Sequence, residues 1–155
     1  MGDRAAVGGG RDPPDLRISC LGHGASYARG MGSRRSVEQA VILAAGRGSR
    51  LSPITDETPK ALVPFFGRPL IDYAAAHLRA AGVGRIAVNT HHLGDHVGDY
   101  VRGELTRRFP DIEWTVSSEV ELLGTGGALS NLRSWLGSSD FFVVNADAVF
   151  EADLG

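Results

Sequence analysis

The stretch Ala40-Val41-Ile42-Leu43-Ala44-Ala45-Gly46-Arg47-Gly48-Ser49-Arg50-Leu51-Ser52-Pro53, running on to Pro59-Lys60, decides how the rest of the chain is read. It begins as a short apolar run with β-branched Val41 and Ile42, which reads as a buried strand. It then breaks into a loop in which small residues alternate with cations. A buried strand that opens into Gly-x-Gly beside Arg and Lys exposes backbone N–H groups and fixed positive charge, a combination suited to phosphate.

Upstream of this stretch, residues 1–38 are rich in Gly and Arg, with Gly8-Gly9-Gly10 and Pro13-Pro14. Apolar residues there follow neither a period of two nor one of 3.6, so the segment is expected to be a disordered extension. It reads as a functionless tail rather than a nucleic-acid-binding arm, and Met31 would serve as an alternative start. Ser33-Arg34-Arg35-Ser36 ahead of the apolar run superficially resembles a twin-arginine export signal. Glu38 and Gln39 intervene, however, and the run leads into Gly46-Arg47-Gly48 instead of a small-residue cleavage site.

Downstream, Pro53, Pro59 and Pro64 rule out a regular helix between Leu51 and Arg68 and favour a stiff, extended loop. Pro69 is a good first-turn residue for a helix whose apolar face is Leu70, Ala74, Leu78 and Ala81, ended by Gly82 and Gly84. Arg85 to Asn89 reads as a second strand. Leu93, Val97, Tyr100, Val101 and Leu105 mark a second amphipathic helix through Arg108, stopped by Pro110. Ile112, Trp114 and Val116 alternate with polar residues, as in a strand towards a sheet edge. Gly124 to Gly127 open a third helix, with Ala128, Leu129, Leu132, Trp135 and Leu136 on its apolar face. Phe141-Phe142-Val143-Val144-Asn145 is a continuous apolar strand, expected to be central, and ends on Ala146-Asp147.

Strand and helix alternate four times, which predicts an α/β fold with a mainly parallel sheet. Ligands of such sheets sit beyond the carboxyl ends of the strands. Gly46 to Arg50, Gly124 to Gly127 and Asp147 all fall there.

The 155-residue chain is one domain's worth, with 43% apolar and 22% charged residues, ordinary values for a globular protein. A net charge of −2 gives no bulk electrostatic reason to expect nucleic acid or an anionic membrane as partner. Cys20 is the only cysteine, which excludes an internal disulfide and a cysteine-based zinc site and fits a cytoplasmic location.

As a dinucleotide fingerprint the loop fails: Leu51 stands at the third glycine position, and no ribose-binding acid ends the second strand at Asn89. The P-loop pattern is absent. What remains is Arg50 and, across a proline-braced stretch, Lys60, two cations suited to a polyphosphate whose charge shifts during transfer. Asp147, at the tip of a buried strand, is where a carboxylate can hold Mg²⁺ against phosphate oxygens. Together these suggest phosphoryl or nucleotidyl transfer. Taken singly, each has a plainer reading: Gly-x-Gly as a turn, Arg50 or Lys60 as a solvated cation, Asp147 as a turn cap. Asp56 and Glu57 read as solvated loop charges, and Trp114 and Trp135 as core aromatics. His91 and His92, adjacent on extended backbone, point apart, which favours a helix start or a substrate-side hydrogen bond over a metal site.

These residues, in this order, resemble the sugar-1-phosphate nucleotidyltransferases. The resemblance runs from Leu43-Ala44-Ala45-Gly46-Arg47-Gly48-Ser49-Arg50-Leu51 through Pro59-Lys60 and Gly67-Arg68-Pro69-Leu70-Ile71 to Asn89-Thr90-His91-His92-Leu93. It continues in Glu119 with Leu123-Gly124-Thr125-Gly126-Gly127-Ala128-Leu129, and in Val144-Asn145-Ala146-Asp147. It implies a Rossmann-like three-layer nucleotidyltransferase fold, of which residues 39–155 would be the N-terminal, nucleotide-binding half. The implied partners are a nucleoside triphosphate and a sugar 1-phosphate, with Mg²⁺ as cofactor, no nucleic acid, no membrane, and a homo-oligomer admitted. Leu43, Ala44, Ala45, Gly46, Arg47 and Gly48 would hold base and phosphates, Arg50 the triphosphate and transition state, and Lys60 would bridge phosphates. Gly124, Thr125, Gly126 and Gly127 would pack on base and ribose, Glu119 would fix the base loop, and Asp147 would bind the metal. The Leu-Gly-Thr loop tips the expectation slightly to a GDP-mannose-forming type, with uridylyl or thymidylyl transfer close behind.

Two departures stand out. The family places Gly where this chain has Ala146, adding a methyl group beside the nucleotide. A second half of the family domain, with a further metal-binding Asp, has no counterpart before Gly155, and Asp153 follows Asp147 too closely to replace it. The alternatives are a catalytically incomplete nucleotide-binding remnant or regulatory homologue, and a related transferase acting on a non-sugar phosphate.

Overall fold

A computed structural model describes residues 18–20 and 37–148. Along the chain run β1 (Ile18–Cys20), β2 (Gln39–Leu43), the one-turn α1 (Ile54–Glu57), the two-residue strands β3 (Pro64–Phe65) and β4 (Arg68–Pro69), and α2 (Leu70–Ala80). Then come β5 (Arg85–Thr90), α3 (Gly94–Tyr100), α4 (Thr106–Arg108), β6 (Glu113–Ser118), α5 (Gly124–Asn131), α6 (Arg133–Leu136) and β7 (Phe141–Asn145).

The apolar run that opens the described core becomes β2, with Ala40, Val41 and Ile42 fully buried. Alternation along it feeds both faces of the sheet. Ala40 and Ile42 pack with Ile71, Ala74, Ala75 and Leu78 of α2 and with Val97, Val101 and Leu105 of the next helical segment. Val41 packs on the opposite face with Leu129, Leu132 and Leu136 of the α5–α6 region. The product is a three-layer arrangement around a five-stranded sheet of order β1-β7-β2-β5-β6, every pair parallel. The chain travels β2 to β5 to β6 on one side of β2, then β7 returns on the other side. That reversal makes the carboxyl ends of β2 and β7 a topological switch point. Register aligns the tips: Leu43 is level with Asn89 on one side and Asn145 on the other.

Several expectations need adjusting. Between Leu51 and Arg68 the chain is not simply extended. Pro53 and Pro59 leave just enough uninterrupted chain between them for the turn α1, and Lys60–Leu62 forms a 3₁₀ turn after the second proline. The expected helix from Leu93 starts at Gly94, because Leu93 adopts a left-handed φ of 50°. Its middle, Val101–Leu105, is π-wound before α4. Val97, Val101 and Leu105 are spaced by four and all fully buried. Four residues overshoot one α-turn, and a wider turn offsets that drift. Gly124 to Gly127 do open the third helix, as its first turn.

The expected disordered extension over residues 1–38 lies mostly outside the described residues. Within it, Ile18–Cys20 departs from that expectation by pairing in parallel with Phe141–Val143. The outer edge of an apolar strand such as β7 presents unpaired N–H and C=O groups, which accept any extended segment within reach. Among the described residues no helix is long and apolar enough to cross a membrane.

One buried charge ties the helices of one face together. Asp72 of α2 is 3% exposed; its Oδ1 accepts a 2.9 Å hydrogen bond from Tyr100, and its Oδ2 pairs with Arg108. Burial, then the nearby Glu104 carboxylate, raises the Tyr100 pKa, so the phenol keeps the proton it donates. Arg108→Ala should lower the unfolding free energy by about 2 kcal/mol, discounted for an Arg108 side chain that is 41% exposed. Asp72→Asn should cost less, since it removes the charge that needs the cation. Urea unfolding of both variants checks the order, and the reverse order would show that this pair does not hold α2 to α4.

Candidate functional site

The ladder of β2 ends at Ala44, whose N–H donates to the carbonyl of Asn89 at 3.2 Å and to its side-chain Oδ1 at 2.9 Å. Beyond it, the N–H groups of Ala45, Gly46, Arg47 and Gly48 find no acceptor among the described residues. They follow the carboxyl end of the strand at the switch point, where a phosphate can use them. Gly46 has open space where a Cβ would stand. Gly48 does not: with φ at +67°, a Cβ there would lie 2.9 Å from Thr55 Cγ2 and 3.0 Å from Lys60 Cβ. Thr55, 2% exposed, donates to the Gly48 carbonyl at 2.9 Å, and its own carbonyl meets His92 Nε2 at 3.2 Å. The proline-bounded turn α1 therefore packs from behind on the glycine loop and fixes its shape.

An open cleft of about 290 Å³ lies at these strand tips. Leu43, Ala44, Ala45, Gly46 and Gly48 form one wall and Gly124 with Thr125 another, while Lys60 and Asp147 add the charged groups. Lys60 Nζ and the Asp147 carboxylate are ion-paired to each other, with about a third of each side chain exposed. Ala61, Asn89, Leu122, Asn145 and Ala146 complete the lining. Sequence reasoning assigned no site role to any of these five; that Ala146 lies at the cleft is the expectation its departure from the family pattern carried.

Not every expected residue lines the cleft. Arg47 and Arg50 are exposed, stand outside its lining, and have no ion-pair or hydrogen-bond partner among the described residues. Arg50 lies in the 3₁₀ turn Ser49–Leu51 that follows Gly48. Gly126 and Gly127 are also outside the lining; a Cβ on Gly127 would meet Leu123 Cβ at 2.5 Å, so its glycine serves packing of the helix start. Glu119 is 7% exposed and sits behind the wall, accepting from Asn89 Nδ2 at 2.8 Å and from the Leu123 N–H at 3.2 Å. His91 Nδ1 lies 3.1 Å from the Glu119 carbonyl and His92 faces Thr55, so the adjacent histidines brace two different loops.

For a divalent cation the donor set is sparse. No group of three or more His, Cys, Asp or Glu side chains is placed to hold a metal among the described residues. A single strand-end carboxylate suits Mg²⁺ that takes its remaining ligands from phosphate and water. Asp147 fits a metal that arrives with a nucleotide.

A parallel sheet with a cleft at its switch point, lined by a loop whose N–H groups have no acceptor among the described residues, a lysine and a strand-end carboxylate, defines an α/β protein with a candidate ligand site at its strand ends. The family model described as nucleotidyl transferase matches residues 39–155, and the chain belongs to that family. It is similar to N-acetylmuramate alpha-1-phosphate uridylyltransferase of Caulobacter vibrioides, 35% identical over 111 residues, 72% of this chain and 46% of that protein. It is also similar to mannose-1-phosphate guanylyltransferase 1 of Arabidopsis thaliana, 35% identical over 119 residues, 75% of this chain and 32% of that protein. Among solved structures, HddC from Yersinia pseudotuberculosis complexed with GMP-PN aligns with a TM-score of 0.61 at 32% identity, over 72% of this chain and 48% of that one. UDP-glucose pyrophosphorylase complexed with UDP-glucose aligns with a TM-score of 0.60 at 25% identity, over 72% and 46%. The chain spans about half or less of the length of these relatives.

The two glycines of the loop should separate cleanly on substitution. Gly48→Ala should cost at least about 2 kcal/mol, the sum of left-handed strain and a clash with Thr55 and Lys60. Gly46→Ala, with no atom within 4 Å of the new Cβ, should unfold at nearly the parent temperature. Thermal unfolding of the pair checks this.

Proposed function

We propose that this chain forms the nucleotide-binding portion of a sugar-1-phosphate nucleotidyltransferase, transferring a nucleoside monophosphate from its triphosphate to a sugar 1-phosphate with release of pyrophosphate. The observation that carries this reading is the convergence, in one cleft at the switch point, of Ala45, Gly46 and Gly48, whose N–H groups have no acceptor among the described residues, with Lys60 and Asp147.

In the proposed reaction a phosphate oxygen of the sugar 1-phosphate forms a bond to the α-phosphorus. The bond between that phosphorus and the α–β bridging oxygen breaks, and its electron pair leaves on pyrophosphate. Little covalent chemistry falls to the protein, so it acts by positioning and by opposing the developing negative charge. The N–H groups of the glycine loop hold phosphate oxygens with dipoles already oriented. Lys60 exchanges the Asp147 carboxylate for phosphate and bridges phosphate groups. Arg50, unpaired and exposed on the turn beside Gly48, swings to the triphosphate and stabilises the leaving charge. Asp147 would hold Mg²⁺, which when bound supplies further neutralisation of phosphate charge. The glycine turn Gly124 to Gly127, with Thr125, receives base and ribose, and Glu119 fixes that turn from behind.

For the base, the Leu123-Gly124-Thr125 loop and the likeness to a mannose-1-phosphate guanylyltransferase support guanine. The likeness to uridylyltransferases, at 35% and 31% identity, supports uracil. Pyrophosphate release from GTP, UTP, CTP and dTTP, each paired with a series of sugar 1-phosphates and Mg²⁺, tests the reading. Turnover with one pair is expected, and Arg50→Ala and Asp147→Ala should each reduce it by at least about 10²-fold. Near-parent rates would reject those roles. Nucleotide binding without turnover on any pair would reduce the function to a nucleotide-binding unit.

A further inference from the structure

The geometry points to Asn89 as a positioning residue that couples the two glycine loops, so that neither holds its nucleotide-binding shape without the other. Its amide is used at both ends. Oδ1 accepts from the N–H of Ala44, the last ladder residue before the first loop, at 2.9 Å. Nδ2 donates to Glu119 Oε1 at 2.8 Å, and Glu119 Oε2 accepts from the N–H of Leu123, the residue before the second loop, at 3.2 Å. Asn89 is 3% exposed and Glu119 7%, so this relay runs where water does not compensate a broken link. Each link has a fixed polarity: N–H to carbonyl oxygen, amide N–H to carboxylate, N–H to carboxylate. Only a residue that accepts on one side and donates on the other can stand between Ala44 and a carboxylate. Asparagine does; aspartate and leucine, of nearly the same shape, do not.

Upstream of the second loop the backbone of Glu119 is held twice, by its own N–H to the Thr90 carbonyl at 2.8 Å and by its carbonyl, 3.1 Å from His91 Nδ1, while Val120, Leu122 and Leu123 that follow are exposed. Past these backbone anchors, the Glu119 carboxylate is the group that reaches the Leu123 N–H, and Asn89 holds that carboxylate from the other side. The inference rests on the proposed function in one respect, that a nucleotide lies between the two loops; the tie itself does not require it.

Amide hydrogen exchange on the full chain tests the tie without nucleotide. Asn89→Asp sets two carboxylates against each other and should speed exchange about tenfold at Leu123, which Asn89 does not touch. Glu119→Gln leaves donor facing donor at one end of the relay and should disturb Ala44, which Glu119 does not touch. The double substitution Asn89→Asp with Glu119→Gln exchanges amide and carboxylate, restores every donor–acceptor pair, and should return both amides to within about threefold of the parent. With GTP and UTP as probes in Mg²⁺, binding should weaken about tenfold in each single variant and recover in the double. A double variant no better than the worse single, or a single variant that leaves the remote amide unchanged, would overturn the coupling. If Asn89→Asp does not fold, Glu119→Gln alone carries the test at Ala44. A parent chain that binds neither nucleotide would overturn the proposed function and leave the exchange result to decide the tie.

Discussion

The ladder of β2 stops at Ala44, and the cleft depends on that stop. Up to Leu43 the strand has parallel neighbours on both sides, which consume its hydrogen-bonding groups. Ala44 spends its N–H on Asn89, and Ala146 reaches back to the Leu43 carbonyl at 3.0 Å, so the two flanking strands close the ladder at one level. The chain then leaves the sheet, and four successive N–H groups are left without acceptors among the described residues. Buried N–H groups without partners are costly, so such a loop must face water or a ligand. A switch point in the strand order keeps this spot open, because the crossovers on its two sides depart in opposite directions.

The loop is held in that exposed shape from behind. Gly48 takes a left-handed conformation that only glycine adopts without strain, and the space its missing side chain vacates is filled by Thr55 and the stem of Lys60. Thr55 is positioned by the short turn between Pro53 and Pro59, and its hydroxyl bonds back to Gly48. One packing contact thus shapes the glycine loop and places Lys60 at the cleft. The proline-rich segment acts as a brace for the site as well as a connection to α2.

This division explains what could be read in advance. Period and punctuation are local, so Phe141 to Asn145 and Leu70 to Ala80 are legible from their own residues. Gly46 to Gly48, Lys60 and Asp147 are chemistry-bearing residues at strand ends, and their meeting follows once a parallel sheet is expected. The relay through Asn89 and Glu119 is different. It is set by a register that puts residues 30 positions apart at hydrogen-bond distance, and no local pattern encodes it. The available signal was a polar residue, Asn89, directly after the apolar run Ile86 to Val88, since a side chain buried there must find a partner. The π-wound turn Val101–Leu105 was hidden for a related reason: helical periodicity marks the face but tolerates a change of winding within it.

Lys60 and Asp147 face each other as opposite charges, and the strength of that pair decides whether the cleft is blocked or ready. With about a third of each side chain exposed, the pair lies in the range where an ion pair contributes about 0–1 kcal/mol. Lys60 is a flexible point charge with three donors, and a triphosphate offers it several charged acceptors at once. Under the proposed function, Asp147, once released, would offer a hard oxygen donor beside the phosphates, the kind of ligand a hard cation takes. Neither partner loses much by exchange, and each gains a more highly charged neighbour. The pair also keeps Lys60 turned inward instead of out into solvent before any ligand arrives. A weak ion pair across the cleft thus holds Lys60 and Asp147 at the site while leaving both exchangeable for a more highly charged ligand.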